Sequence, residues 1–196
     1  MRSSRIERNT NETQIVISLN IDGKGRYDIE TGIGFLDHML GTFAKHGLFD
    51  VDIRAKGDLN VDQHHLVEDL GITLGKAFDK ALGERMGINR TGYFVFPMDE
   101  SLAVVSVDIS GRPSLLFRAD FKRRMIGELD SDLFYDFFKG FADSMKGSLA
   151  IRVLEGRNDH HKAESIFKAF ARAMRMACSE DPRMIDEIPS TKGLIE

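Results

Sequence analysis

Asp62-Gln63-His64-His65-Leu66-Val67-Glu68-Asp69 returns later in the chain as Asn158-Asp159-His160-His161-Lys162-Ala163-Glu164-Ser165. The two HHxxE cassettes begin 96 positions apart in a chain of 196 residues, and they hold four of its six histidines. Each leads into an apolar helical run, Leu70 to Phe78 in the first case and Ile166 to Phe170 in the second. A single histidine doublet at a helix start is compatible with plain contact to water. Repetition of histidine, histidine and glutamate together is not, because solvent-facing decoration has no reason to duplicate all three. On a helix, adjacent histidines project about 100° apart, so one doublet does not chelate a single ion. The glutamate lies three and four positions from the two histidines and shares a face with either. Two cassettes brought face to face would supply two sites of mixed imidazole and carboxylate character, a dinuclear metal site.

Working outward, the segments around each cassette repeat in order: strands, helix, strand, cassette, helix. Thr13 to Leu19 alternates through Ile15, Ile17 and Leu19, and Arg26 to Glu30 follows the glycines of Asp22-Gly23-Lys24-Gly25, which predicts a hairpin. Phe35, Leu36, Met39, Leu40 and Phe43 set out a helix ending near His46-Gly47, with His38 beside its apolar stripe. Phe49 to Ala55 reads as a strand, and the helix after the first cassette runs to about Leu82-Gly83. The pattern restarts after the connector Gly87 to Thr91. Tyr93 to Pro97, Leu102 to Ile109 and Leu115 to Ala119 predict strands, and Asp132 to Met145 predicts a helix. Its stripe of Phe134, Phe137, Phe138 and Phe141 is core-forming. A strand from Leu149 to Leu154 then precedes the second cassette and a helix to about Ala177. The fold class is α+β, with internally duplicated β-β-α-β-α halves and helices packed between or on antiparallel or mixed four-stranded sheets. One domain over 1–196 is expected, built of pseudo-repeats at about 1–87 and 88–180 plus a substrate-binding tail, 181–196.

Composition excludes several classes. With 42% apolar residues, 30% charged residues and a net charge of −4, nothing suggests a nucleic-acid partner. No run is long and apolar enough to span a bilayer, and Met1 to Thr13 is too polar for a signal peptide. The single cysteine, Cys178, forms no intrachain disulfide and fits a reducing compartment, so a cytoplasmic location is expected.

Seven segments in order carry a resemblance. They are Arg8 to Thr13, Gly34 to Met39, Asp62 to Gly71, Pro97 to Glu100, Asp108 to Pro113, Asn158 to Phe170 and Pro189 to Gly193. Over nearly its whole length the chain resembles the imidazoleglycerol-phosphate dehydratase family, lyases of histidine biosynthesis whose fold is of the ribosomal protein S5 domain 2 type. The resemblance implies a carbon–oxygen hydro-lyase converting imidazole glycerol phosphate to imidazole acetol phosphate with two manganese ions per active site. One ion would take His38, His65, Glu68 and His161; the other would take His64, His160, Glu164 and a further histidine. The resemblance also implies active sites shared between subunits of a large closed homo-oligomer of about 24 chains. Glu12 matches the family's general acid/base, and Lys168 a substrate-contacting lysine. Arg90, Arg112, Ser190 and Lys192 match phosphate-binding positions, while Thr191 stands where a second serine is common. His46 is left over, with a supporting role beside the metal site and a structural hydrogen bond equally open.

The chemistry agrees with the need for metals. The reaction removes a hydroxyl beside an imidazole ring together with a poorly acidic hydrogen. Two cations on the ring nitrogens would stabilise an imidazolate bridged between them, whose electrons can expel the hydroxyl. One departure stands out: the family carries a histidine ten positions before the second cassette, and this chain has Ala150. The expectation is that the His64–His160–Glu164 site keeps three protein ligands and binds manganese more weakly. Two other readings remain on the residues alone: a dinuclear metallohydrolase, and a metal-assembled homo-oligomer whose catalysis Ala150 has weakened or abolished.

Overall fold

In the computed structural model, which describes residues 1–195, the chain folds into two four-stranded mixed sheets with four helices between them. The first half runs β1 (Ser3–Asn9), β2 (Thr13–Asn20), β3 (Tyr27–Glu30), α1 (Gly34–Gly47), β4 (Asp50–Gly57) and α2 (His64–Leu82). The second runs β5 (Thr91–Met98), β6 (Ser101–Asp108), β7 (Ser114–Arg118), β8 (Met125–Ile126), β9 (Leu129–Asp130), α3 (Leu133–Met145), β10 (Ser148–Glu155) and α4 (Asp159–Cys178).

The sheets have matching topologies. The first is ordered β1-β2-β4-β3 and the second β5-β6-β10-β7; in each, only the last pair is parallel. Period-two alternation turns one face of each inward: Ile15, Ile17, Leu19 and Ile53 in the first, Ala103, Val105, Leu149 and Ile151 in the second, all buried. Helices α1 and α2 lie on the first sheet and α3 and α4 on the second, with α2 packed along α3 and α1 along α4. The phenylalanine stripe of α3 is core, as its spacing predicts, and Phe141 meets Phe170 of α4 edge-on at 5.0 Å.

Two expectations are corrected. The hairpin is β1–β2, not β2–β3, because β3 leaves the glycine turn to pair in parallel with β4. Strand β1 was missed because it lies on an edge and carries one large apolar residue, Ile6. Each half therefore places three strands of its four-stranded sheet, not two, before its first helix, and the second half adds the short β8–β9 hairpin. The hairpin β8–β9, too short for any periodicity, ties two helix starts together. The Phe35 N–H donates to Glu128 Oε1 (2.9 Å), while Gln63 Nε2 donates to the Glu128 carbonyl (2.7 Å) and Gln63 Oε1 accepts the Asp130 N–H (3.2 Å). The starts of α1 and α2, which carry His38, His64 and His65, are thus fixed to one clasp.

Candidate metal and substrate site

Both doublets fall on the first turn of a helix; at α2 the Asp62 carboxylate accepts the His64 N–H at 3.1 Å. Asn158 caps α4 by accepting the His160 N–H at 3.0 Å. His38, on α1, points across at α4. Its Nε2 lies 2.7 Å from Glu164 Oε1, and its ring is 5.7 Å from that of His160. His38, His160 and Glu164 form one cluster whose ligand atoms all lie within 4.8 Å of one another. Burial opposes ionisation of Glu164, but hydrogen bonds from Lys168 (2.9 Å) and His38 outweigh it and hold the carboxyl below its ordinary value. An ionised carboxylate beside two imidazoles is a donor set that fits a divalent transition metal.

The second histidine of each cassette is oriented in the same way by a carboxylate that the sequence reading did not single out. His65 Nδ1 lies 3.0 Å from Asp58, and His161 Nδ1 lies 2.8 Å from Glu100. Such a partner fixes the proton on Nδ1 and leaves Nε2 to ligate. The Asp58 hydrogen bond raises the His65 pKa, and the His161 bond draws Glu100 down to about 2. Glu100 also accepts the Asn158 N–H (2.7 Å), which locks it to the start of α4. With Asp99 it joins His161 in a second cluster of possible metal-holding groups. The only advance signal for Glu100 was its place in Pro97-Met98-Asp99-Glu100; Asp58 gave none.

Glu12 lies beside the first cassette, its Oε1 3.8 Å from His65 Nε2. It is held there by its neighbour. Thr13 donates its hydroxyl to the buried Asp69 of α2 at 2.6 Å, and Arg8 pairs with the same carboxylate at 2.7 Å. Lys168 lies one turn after Glu164, largely buried, between that carboxylate and the Phe96 ring 5.7 Å away. His46 stands edge-on to the same ring, and burial first, then Lys168 and Arg172, lower its pKa.

The expected phosphate set lies elsewhere. Arg90, in the left-handed region at φ 65°, makes a bidentate pair with Asp108 (2.7 and 3.0 Å) and donates to the Pro189 carbonyl (2.9 Å), which brings the tail with Ser190 and Lys192 to it. Arg112 precedes β7 at the same end of the second sheet. The Arg90 N–H bonds the Ala177 carbonyl near the end of α4, whereas His160 opens that helix. At 1.5 Å per residue the two ends are about 25 Å apart.

Within one chain the structure thus joins His38 to His160 and Glu164, not to His65, Glu68 and His161. His64 and His65 face separate carboxylates, Asp136 and Asp58. Position 150 lies on the outer face of the second sheet, paired with Ser106 and Leu116, while its neighbours Leu149 and Ile151 point in towards the helices. A histidine at 150 would therefore point away from the His160 cluster of its own chain.

The family described as imidazoleglycerol-phosphate dehydratase matches residues 31–174. The chain belongs to the imidazoleglycerol-phosphate dehydratase family. It is 54% identical to the imidazoleglycerol-phosphate dehydratase of Koribacter versatilis over 195 residues, covering 100% of both chains. It is 55% identical to that of a Janthinobacterium species over 192 residues, covering 98% of this chain and 97% of the relative. The crystal structure of the Staphylococcus aureus dehydratase superposes with a TM-score of 0.83 at 36% identity, over 91% of this chain and 99% of that one. A Pyrococcus furiosus structure gives the same TM-score at 35% identity, over 96% and 99%. The α+β fold is that of the family, and the chain is a dehydratase. Among the described residues no helix is long and apolar enough to cross a membrane.

Proposed function

We propose that this chain dehydrates D-erythro-imidazole glycerol phosphate to imidazole acetol phosphate in histidine biosynthesis, in the cytoplasm, using two manganese ions per active site. The observation that carries the metal reading is the His38–His160–Glu164 cluster: three donors of the right chemistry converge from two helices, and the carboxylate is held ionised. His64, His65, Glu68 and His161 complete the ligand set. When bound, the two ions supply Lewis acidity and a template for the imidazole ring.

The protein's own groups do the rest. Glu12, anchored through Thr13 to Asp69, takes the proton from the carbon adjacent to the one that loses the hydroxyl and returns a proton to the ring-attached carbon as the enol becomes the ketone. Lys168, held by Glu164 in a low-dielectric pocket against Phe96, steadies the departing hydroxyl. Arg90, Arg112, Ser190 and Lys192 grip the phosphate; guanidinium forks and a lysine are suited to that anion.

The active site is shared between chains of a large homo-oligomer of about 24 subunits. Support comes from the separation within one chain of the phosphate set and the His160 cluster, which is longer than the substrate. Further support comes from the outer faces of the sheets. The first presents Arg5, Glu7, Asp52 and Arg54, whereas the second presents Tyr93, Val95 and Leu116 at 64%, 48% and 51% exposure. These exposed apolar side chains, which share the face with Arg118 and Arg152, suit contact with another chain.

The test is turnover of imidazole glycerol phosphate by metal-stripped protein across a manganese titration. Ketone product that appears only with manganese is the expected result. Release of inorganic phosphate would make the protein a hydrolase, and metal-dependent assembly without turnover would make it a scaffold; either overturns the proposal.

A further inference from the structure

We propose that Glu128 is a positioning residue for the His38–His160–Glu164 metal site, acting through Phe35. The assignment rests on the two-metal reading above and adds to it a residue that holds no metal itself.

Helix α1 begins without a cap of its own. Ile33 stands at its N-cap and has no side-chain acceptor, so the first N–H groups of the helix need one from elsewhere. Glu128 supplies it from 93 residues away, its Oε1 accepting the Phe35 N–H at 2.9 Å. A carboxylate there also meets the positive end of the helix dipole. Gly34 leaves it room, since a Cβ at that position would stand 3.0 Å from the same Oε1.

Capping alone would serve helix stability. What the capped residue touches adds a second role. The Phe35 ring stands edge-on to His160 at 5.1 Å and tilted to His38 at 6.3 Å, while the two imidazoles are 5.7 Å apart. Phe35 is thus one corner of an aromatic triangle whose other two corners are metal-site imidazoles, and it is buried. The β8–β9 turn seats this residue twice. Glu128 takes its N–H, and Gly127, left-handed at φ 60°, lies so close that a Cβ would stand 3.1 Å from the Phe35 Cβ. The turn is itself fixed, because Ile126 and Leu129 on either side of it are fully buried. Any displacement of the Glu128 contact therefore passes through a packed ring to both imidazoles.

The same segment also holds the other two helix starts that carry histidine doublets. The Glu128 carbonyl accepts Gln63 Nε2, one residue before His64. Asp159, one residue before His160, accepts the N–H groups of Lys122 and Arg123 at 3.0 and 2.8 Å. One stretch, 122–130, thus touches the starts of α1, α2 and α4, which carry His38, His64, His65, His160 and His161. Glu128 is the point in it that meets two of those starts at once, α1 by its side chain and α2 by its backbone.

The experiment is manganese binding to metal-stripped protein, read from the electron paramagnetic resonance signal of the free ion, with thermal unfolding of the metal-free protein alongside. Glu128→Ala is expected to keep the circular dichroism spectrum of the folded chain, retain one site and weaken the other about 10–100-fold. Glu128→Gln, whose amide oxygen still accepts the Phe35 N–H, is expected to stay within about threefold of the unaltered protein. Gly34→Ala pushes the carboxylate away from the other side, so it should weaken the same site and add nothing to Glu128→Ala. Unchanged manganese affinity in Glu128→Ala, whatever its melting temperature, would make the contact a plain helix cap and overturn the proposal. Glu128→Gln as weak as Glu128→Ala would overturn it too. Failure of the unaltered protein to bind two ions per chain would instead overturn the two-metal reading itself.

Discussion

Thr13 donates its hydroxyl to the buried carboxylate of Asp69 at 2.6 Å, so a strand start is fastened to the helix that follows the first histidine doublet. The residue just before Thr13 is Glu12, and the anchor fixes where that carboxylate can reach. Thr13→Val removes the donor while keeping the shape. It leaves Asp69 with the Arg8 pair alone, at a cost of about 1–3 kcal/mol in stability. Expected kinetics are a lower kcat with KM nearly unchanged, since substrate grip lies with other residues. Glu12→Gln sets the ceiling, a loss of about 10²–10⁴-fold in kcat. A Thr13→Val protein with normal kcat would show that the anchor is structural only.

The paired carboxylates Asp58 and Glu100 make a separate prediction, because each holds the second histidine of a doublet by Nδ1. Glu100→Gln retains a hydrogen-bonding group but loses the charge that fixes the His161 tautomer. Manganese affinity at the site using His161 is expected to fall about 10–100-fold. Asp58→Asn is expected to do the same through His65. Titration of metal-stripped protein checks both, and the thermal midpoint without metal should move little.

Much of this was legible in the sequence, and the limits have physical causes. The duplicated cassette, the amphipathic helices and the buried strands announce themselves because each repeats an apolar period over many residues. Strand β1 does not, since its pairing edge carries only Ile6 as a large apolar residue. The β2–β3 hairpin was misread because a glycine turn signals a reversal but not which strand the chain then joins. Asp136 was hidden inside an aromatic stripe that reads correctly as core; only the helix packing shows that the position between Phe134 and Phe137 faces His64. Asp58 and Glu100 act across loops, and no spacing rule connects them to a histidine.

Acid sensitivity should have a component remote from the active site. Asp22 accepts from the Arg2 side chain and from its backbone N–H at 2.8 Å, and these bonds, with the Arg2 guanidinium leading, outweigh burial and lower its pKa. A carboxyl depressed in the folded state stabilises above its unfolded value near 3.8. That contribution is lost as pH falls through the lower folded value. The Asp22 side chain is 35% exposed, so the pair is worth at most about 1 kcal/mol. Asp22→Asn is therefore expected to unfold slightly earlier in denaturant at pH 7. The gap from the unaltered protein should close at acid pH, as both curves are followed by circular dichroism. A gap that widens in acid would reverse the sign and reject the assignment.

The outer face of the second sheet gives the most direct handle on assembly. On a free surface, replacing Val95 or Leu116 by a charged residue changes stability by no more than about 0.5 kcal/mol. If a second chain covers the face, the same charge is desolvated without a partner, and the assembly breaks. Val95→Glu and Leu116→Lys are expected to sediment as smaller particles while keeping the circular dichroism spectrum of the folded chain. Turnover should fall with assembly, because the Arg90 end of α4 and the His160 end lie about 25 Å apart in one chain and must be met by other copies to hold one small substrate. Dispersed chains that still turn over substrate would place a complete site within a single subunit.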